Sequence, residues 1–274
     1  MEREQILLQL CNYNVMKIGL ALSGGGTKGA AYIGVIKALE EFGIFATHIS
    51  GTSAGAIVGA LYANGTKWTE ILDFFKTIPI FHTNRFAYNK PGFIDTEKFY
   101  DDLKKYLPDD DFASLKKPLY ITATNVIDGT LKIFEKGELI KPILASASFP
   151  GVFTPTEING SYYIDGGTLN NFPTEPLTAV CDKIIGVYVN PLKKINVKDL
   201  KHSYTVLERA YKIKAATESL NKFSACDLVI YPKKLINYGI FGMKNIDAIF
   251  QLGYTTTKKL LEERKLIDGE LAFT

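Results

Sequence analysis

The chain has 274 residues, enough to bury a large core, and its 46% hydrophobic and 22% charged content is that of a folded globular protein rather than a disordered one. Lys and Arg number 32 against 29 Asp and Glu, a net charge of +3, which excludes the strongly basic footprint of a nucleic-acid binder. Three cysteines, Cys11, Cys181 and Cys226, are odd in number and far apart, which argues against a disulfide framework or a zinc site and fits a reducing, cytoplasmic compartment.

No window reaches the roughly 18 apolar residues of a membrane span. The start, Met1-Glu2-Arg3-Glu4-Gln5, is acidic where a signal peptide would be basic. Met16 stands directly before the first strong strand pattern. Residues 1–16 therefore read as an N-terminal extension, with Met16 an alternative start, and 17–274 as a single domain whose motifs fall within about 17–190.

In chain order, Lys17 to Leu22 is a short apolar run, followed by Ser23-Gly24-Gly25-Gly26-Thr27-Lys28-Gly29 and then by helical spacing over Ala30 to Phe42, stopped by Gly43. Ala46 to Ser50 reads as a second strand, Gly51-Thr52-Ser53-Ala54-Gly55 as a tight turn and Ala56 to Ala63 as a helix, so the strand–turn–helix unit repeats. Helices are expected over Lys67 to Lys76 and Thr96 to Leu107, around an aromatic stretch from Phe81 to Phe93. Leu119 to Val126 and Leu131 to Phe134 flank Asp128-Gly129, the residue pair of a two-residue hairpin, and Thr156 to Ile158 and Tyr162 to Ile164 flank Asn159-Gly160 in the same way. A helix is expected near Leu139 to Ser146, strands over Lys183 to Val189 and Leu228 to Tyr231, and helices over Ser203 to Leu220 and Ile246 to Glu263. Alternating strands and helices predict an α/β protein with helices on both faces of a sheet.

The glycine loop matches G-x-G-x-x-G between a strand and a helix. A dinucleotide site would also want an acidic residue about 20 positions on, and the chain has His48-Ile49-Ser50-Gly51 there; a phosphate-binding Walker loop fails because Gly29 is followed by Ala30-Ala31. What remains is a set of backbone amides able to face an anion, including an oxyanion that forms only during a reaction, or simply a tight turn.

Gly51-Thr52-Ser53-Ala54-Gly55 matches G-x-S-x-G, which places a serine on a strained strand-to-helix turn between small neighbours. A serine needs a base. Only three histidines exist: His48 lies in the strand before the turn, too close in sequence to fold back onto Ser53, while His82 and His202 remain formal triad candidates. Asp165 is the stronger candidate, because Asp165-Gly166-Gly167 ends an apolar strand with two residues that let a carboxylate approach another loop.

Together and in this order, Gly24-Gly25-Gly26-Thr27-Lys28-Gly29, Gly51-Thr52-Ser53-Ala54-Gly55 and Asp165-Gly166-Gly167 resemble the three motifs of the patatin-like phospholipase family. Ala145-Ser146-Ala147-Ser148-Phe149-Pro150-Gly151-Val152-Phe153 and Asn170-Asn171-Phe172-Pro173 resemble that family as well. The resemblance implies a three-layer α/β/α fold on a mainly parallel sheet. It further implies a Ser–Asp dyad with Ser53 as nucleophile and Asp165 as general base, and an oxyanion hole from the amides of Gly24, Gly25 and Gly26. Lys28, Gly29, Gly51, Gly55, Gly166 and Gly167 act as motif support. Many members carry Arg at the position of Lys28, and lysine keeps the charge without the planar fork.

The implied activity is hydrolysis of a lipid acyl ester, phospholipase A or lysophospholipase in type, through an acyl-enzyme and without metal or organic cofactor. The implied partner is a lipid or lysolipid, met at a membrane surface, with no nucleic acid and with the oligomeric state open. Two alternatives share the same residues: an acyltransferase using Ser53, and a catalytically silent lipid-binding protein. Phe81, Phe86, Tyr88 and Phe93, with Arg85 and Lys90 among them, read either as a lid or membrane-touching loop or as a loop packed on the domain.

Overall fold

The computed structural model of the protein describes residues 16–78, 82–268 and 273. The expectation of an extension over 1–16, apart from Met16, and the positions of Cys11 and Phe81 lie outside the described residues.

Strand β1 (Ile18–Leu22) is buried along its whole length, and its period of two divides the core: Ile18, Leu20 and Leu22 join one apolar cluster, Ala21 the other. Burying a leucine as completely as Leu20 or Leu22 contributes about 1.5–3 kcal/mol. The glycine loop tightens into a short turn at Gly26–Gly29 and enters α1 (Ala30–Glu41), which stops where Gly43 takes a φ of 73°. The unit then repeats as β2 (His48–Thr52) and α2 (Ala54–Ala63), followed by α3 (Trp68–Thr77).

The helix expected over Thr96 to Leu107 is interrupted. A tight turn at Thr96–Phe99 is capped by Asp95, whose carboxylate accepts the Glu97 amide at 3.3 Å, and only α4 (Tyr100–Lys104) is helical beyond it. Strands β3 (Leu119–Asn125) and β4 (Leu131–Phe134) form a hairpin, but its loop spans 126–130. Asp128 turns its carboxylate onto the Thr130 amide (3.0 Å) and hydroxyl (2.7 Å) instead of occupying a two-residue turn. After α5 (Ile140–Ala147), β5 (Thr156–Ile158) and β6 (Ser161–Asp165) do form the expected two-residue hairpin, with Asn159 and Gly160 at φ 51° and 77°. A short helix without a sequence signal, α6 (Glu175–Thr178), precedes β7 (Lys183–Val187), α7 (Ser203–Asn221), β8 (Leu228–Ile230) and α8 (Ile246–Asp268).

The strands form one eight-stranded mixed sheet that follows the path β5-β6-β3-β2-β1-β7-β8, with β4 also paired to β3. Strands β3, β2, β1, β7 and β8 are mutually parallel, and β4, β5 and β6 are antiparallel additions. Ile33 of α1, Leu61 of α2, Ile71 of α3, Ile143 of α5 and Phe250 of α8 pack with the Leu20 face; Phe172, Leu177 of α6 and Tyr188 pack with the Ala21 face. The result is the expected α/β/α layering.

One detail of the pairing positions the site. Ile121 and Thr122 of β3 have β2 on one side and β4 on the other, while Ala123 and Thr124 have β4 and β6. Strands β2 and β6 therefore share one edge of β3 and end head to head there, with Thr52 opposite Thr122 and Asp165 opposite Ala123.

Candidate active site

Strand β2 delivers Ser53 into the turn before α2 at φ 54° and ψ −123°, a positive φ that a residue with a side chain rarely adopts. The turn is held from several directions. The Ser53 amide donates to Ser146 Oγ of α5 at 2.8 Å, and Thr52 Oγ1 lies 2.6 Å from Thr122 Oγ1 and donates to the Asn170 carbonyl at 2.9 Å. No side chain fits at the flanking glycines: a Cβ on Gly51 would stand 2.4 Å from the Gly55 carbonyl oxygen, and one on Gly55 2.4 Å from that of Leu22.

Asp165 is 3% exposed and its carboxylate faces the Ser53 hydroxyl. Burial pushes its pKa up to about 6, while hydrogen bonding from the Gly167 amide, at 2.7 Å, and from the Ser53 hydroxyl pulls it back. The carboxyl is therefore mostly ionised at neutral pH yet basic enough to accept a proton. A Cβ on Gly166 would meet the Thr122 carbonyl oxygen at 2.4 Å, so this glycine lets the strand end close against β3. The three histidines stay apart: His48 pairs with Thr47 Oγ1 at 2.9 Å where β2 begins, His82 is exposed beside Asn84 at 2.7 Å, and His202 stands at the exposed start of α7. None of them lines the cavity that holds Ser53.

The glycine loop lies against the serine, since a Cβ on Gly24 would come within 3.3 Å of Ser53 Cβ. Its amides are not equivalent. The Gly24 amide donates to the Asn171 carbonyl at 3.0 Å and the Thr27 amide to that of Ile240 at 2.8 Å, so Gly24 supplies close approach rather than a free donor. Among the described residues no acceptor engages the amides of Gly25 and Gly26. Gly26 sits at φ 56°, and a Cβ there would stand 2.2 Å from the Ile240 oxygen. A Cβ on Gly29 would crowd Ala54 Cβ at 2.8 Å, so this glycine lets the loop pack on the serine turn. Lys28 is 7% exposed; burial, reinforced by the Lys212 charge, pulls its pKa down to about 8.

Ser53, Asp165 and the loop form one end of a cavity of about 490 Å³ whose walls include Phe74, Phe99, Leu144, Phe153, Phe241 and Met243. Sequence patterning missed Tyr211 of α7. It lines this cavity and packs edge-on against Phe149 at 5.7 Å, and burial and the Asp165 charge push its phenol up. The helical period that pairs Tyr211 with buried Ala215 was the available signal. Among the described residues, 82–93 do not line the cavity. The two cations of this loop are engaged within the domain: Arg85 is buried, pairs with Asp102, donates to the Lys98 carbonyl at 2.8 Å and stacks over Phe99 at 3.9 Å, and Lys90 pairs with Asp95 and Glu97. Phe86, Tyr88 and Phe93 are exposed. Among the described residues no group of three His, Cys, Asp or Glu is placed to hold a metal, and no helix is long and apolar enough to cross a membrane.

Comparison with known proteins places this geometry. The sequence profile of the patatin-like phospholipase family matches residues 20–178, more than half of the chain. An uncharacterized NTE family protein of Mycobacterium tuberculosis is 32% identical over 193 residues, 69% of this chain and 53% of that protein. The lysophospholipase NTE1 of Saccharomyces cerevisiae is 32% identical over 188 residues, 63% of this chain but 11% of that one. The chain thus spans about half the length of the mycobacterial relative. Among solved structures, VipD of Legionella pneumophila superposes with a TM-score of 0.62 at 19% identity, covering 91% of this chain and 67% of that one, a likeness of fold. From the strand–turn–helix serine, the aspartate opposite it and the profile match, the chain belongs to the patatin-like phospholipase family.

Proposed function

We propose that the protein is a serine lipid acyl hydrolase of lysophospholipase type, with Ser53 as nucleophile and Asp165 as general base. The observation that carries this reading is the Ser53 hydroxyl facing the buried carboxyl group of Asp165 in the wall of an apolar cavity. Ser53 Oγ attacks the ester carbonyl carbon as its proton passes to Asp165. The carbonyl oxygen becomes an oxyanion facing the amides of Gly25 and Gly26, each such donor being worth about 3 kcal/mol in the transition state. Collapse expels the alcohol, which takes the proton from Asp165 and leaves an acyl-Ser53 ester. Water then gives a proton to Asp165 and attacks the acyl carbon, and the fatty acid leaves as Ser53 recovers its proton.

The cavity volume of about 490 Å³ lies within the ~300–1,000 Å³ range of pockets that take one small molecule, which gives room for the acyl chain being cleaved. The yeast relative is named a lysophospholipase, which supports a single-chain substrate. The test combines fluorophosphonate labelling with fatty-acid release from lysophosphatidylcholine and from diacyl phosphatidylcholine. Labelling and release of fatty acid from the lysolipid, both lost in Ser53→Ala, are expected. A well-folded wild type that neither labels nor releases fatty acid overturns the reading.

A further inference from the structure

Residues 192–214 lead into α7 and differ from the rest of the surface. They hold seven Lys and Arg against two acidic residues, more positive charge than the net +3 of the entire chain, so the remainder of the molecule is net acidic. Apolar side chains stand in water among these cations: Val197 is 88% exposed and Leu207 71%.

The helix itself is turned inside out. Val206, Ala210, Ile213, Thr217 and Leu220 recur at the spacing of one helix face, and all are exposed. The opposite side carries Tyr211, buried Ala215 and buried Ser219, with Arg209 and Lys212 in the cavity wall. A helix on a soluble surface normally points its apolar stripe at the core. Here the outward stripe is apolar, flanked by Lys214 and preceded by the exposed Lys194, Lys198 and Lys201. Leu192, Lys193 and Leu200 are both exposed and part of the cavity wall, so this same segment forms the rim of the opening.

We propose that residues 192–214 dock the protein onto an anionic lipid membrane, the lysines meeting the head groups and Val197, Val206, Leu207 and Ile213 entering the interface. The charge selects an acidic surface, and the continuity of rim and cavity selects a bilayer over a protein partner. An acyl chain leaving the lipid at this rim reaches Ser53 without crossing water. The proposal rests on the lipid-hydrolase reading for its purpose, but its binding step is measured independently of turnover.

The experiment is vesicle flotation of the full chain with pure phosphatidylcholine and with phosphatidylcholine containing about one-third phosphatidylglycerol. It compares wild type, the pair Leu207→Ser with Ile213→Ser, and the triple Lys194→Glu, Lys198→Glu, Lys201→Glu. Hydrolysis of a soluble p-nitrophenyl butyrate, which needs no membrane, is read alongside. Wild type is expected to float with the anionic vesicles only and to be released as salt rises to about 0.5 M. Both variants are expected to lose at least about tenfold in binding and in vesicle hydrolysis while keeping soluble-ester turnover and the wild-type circular dichroism. Wild type that does not float, variants that float as wild type does, or a dimer dissolved by Leu207→Ser with Ile213→Ser in place of vesicle binding overturns the docking proposal. Anionic-vesicle binding without turnover of either ester overturns the hydrolase reading and leaves the docking surface standing.

Discussion

Ser53 and Asp165 face one another because the strands that carry them run toward each other along the same edge of β3 and stop one residue apart in register, Thr52 opposite Thr122 and Asp165 opposite Ala123. The two groups of the proposed dyad are thus set by hydrogen-bonded backbone rather than by loop closure, the condition for holding such a pair to a fraction of an ångström.

The same turn stores strain at Ser53. Its φ of 54° suits glycine, so Ser53→Gly should be more stable than Ser53→Ala by about 1 kcal/mol, with both expected to be inactive under the proposed mechanism. Urea unfolding of the two variants checks this; equal midpoints would remove the strain argument.

Asp165 couples activity to acid. With Asp165 as the proposed general base, its deprotonated form is the active one, so kcat/KM should fall about tenfold per unit below pH 6. Stability runs the other way. The unfolded carboxyl ionises near its ordinary value of 3.8, whereas the folded one ionises only near 6, so above pH 6 the native state bears the cost of a buried charge, about 3 kcal/mol, which fades as pH drops from 6 toward 4. Asp165→Asn should therefore be inactive yet more thermostable than wild type at pH 8, with the gap closing by pH 4. Thermal scans at both pH values test the sign, and an Asn variant less stable at pH 8 contradicts it.

Close backbone approach makes two motif glycines irreplaceable. Gly55→Ala and Gly166→Ala each set a Cβ 2.4 Å from a carbonyl oxygen, and each should cost more than about 3 kcal/mol, whereas Gly239, with nothing within 4 Å, should accept alanine. Soluble expression and melting temperature separate the three.

The two cations of the 82–93 loop should also part company. Arg85→Ala leaves Asp102 with the longer pair to Lys105 at 3.5 Å and removes the stack on Phe99, and is expected near the lower end of the ~3–5 kcal/mol for breaking a buried pair, because Asp102 keeps 20% of its side chain exposed. Lys90→Ala, at a side chain 41% exposed, should change stability by less than about 1 kcal/mol. Similar melting shifts for both would count against an internal role for Arg85.

The serine turn, the glycine loop and Asp165 were legible because each demands a residue type that chemistry rarely tolerates elsewhere: small residues around Ser53, and glycine where a Cβ would strike the Asn171 side chain (24), the Val189 side chain (25) or a backbone carbonyl (26 and 166). The Asn159-Gly160 hairpin was legible for the same reason. The Thr96 to Leu107 pattern misled because apolar spacing does not register that its first turn, Thr96–Phe99, closes more tightly than an α-helix and that the helix ends at Lys104, and Asp128-Gly129 misled because a carboxylate can bond its own turn. The helical period marked Tyr211 and Ala215 as one inward face of α7, but that this face lines the cavity depends on where the helix crosses the site, which local spacing does not encode. The spent Gly24 amide was equally hidden, since its acceptor, Asn171, is far along the chain.

The glycine loop is clamped by residues more than 200 positions further along the chain. Thr27 is hydrogen-bonded to Gly239 and Ile240, and α1 and α8 touch backbone to backbone: a Cβ on Gly34 would strike the Phe250 oxygen at 2.1 Å, and one on Gly253 that of Ala31 at 2.0 Å. During synthesis Ser53 and Asp165 emerge well before this brace. A nascent chain therefore carries all three motifs before Ile240 and α8 can fix the backbone at Gly25 and Gly26, which makes the loop a late-forming part of the site.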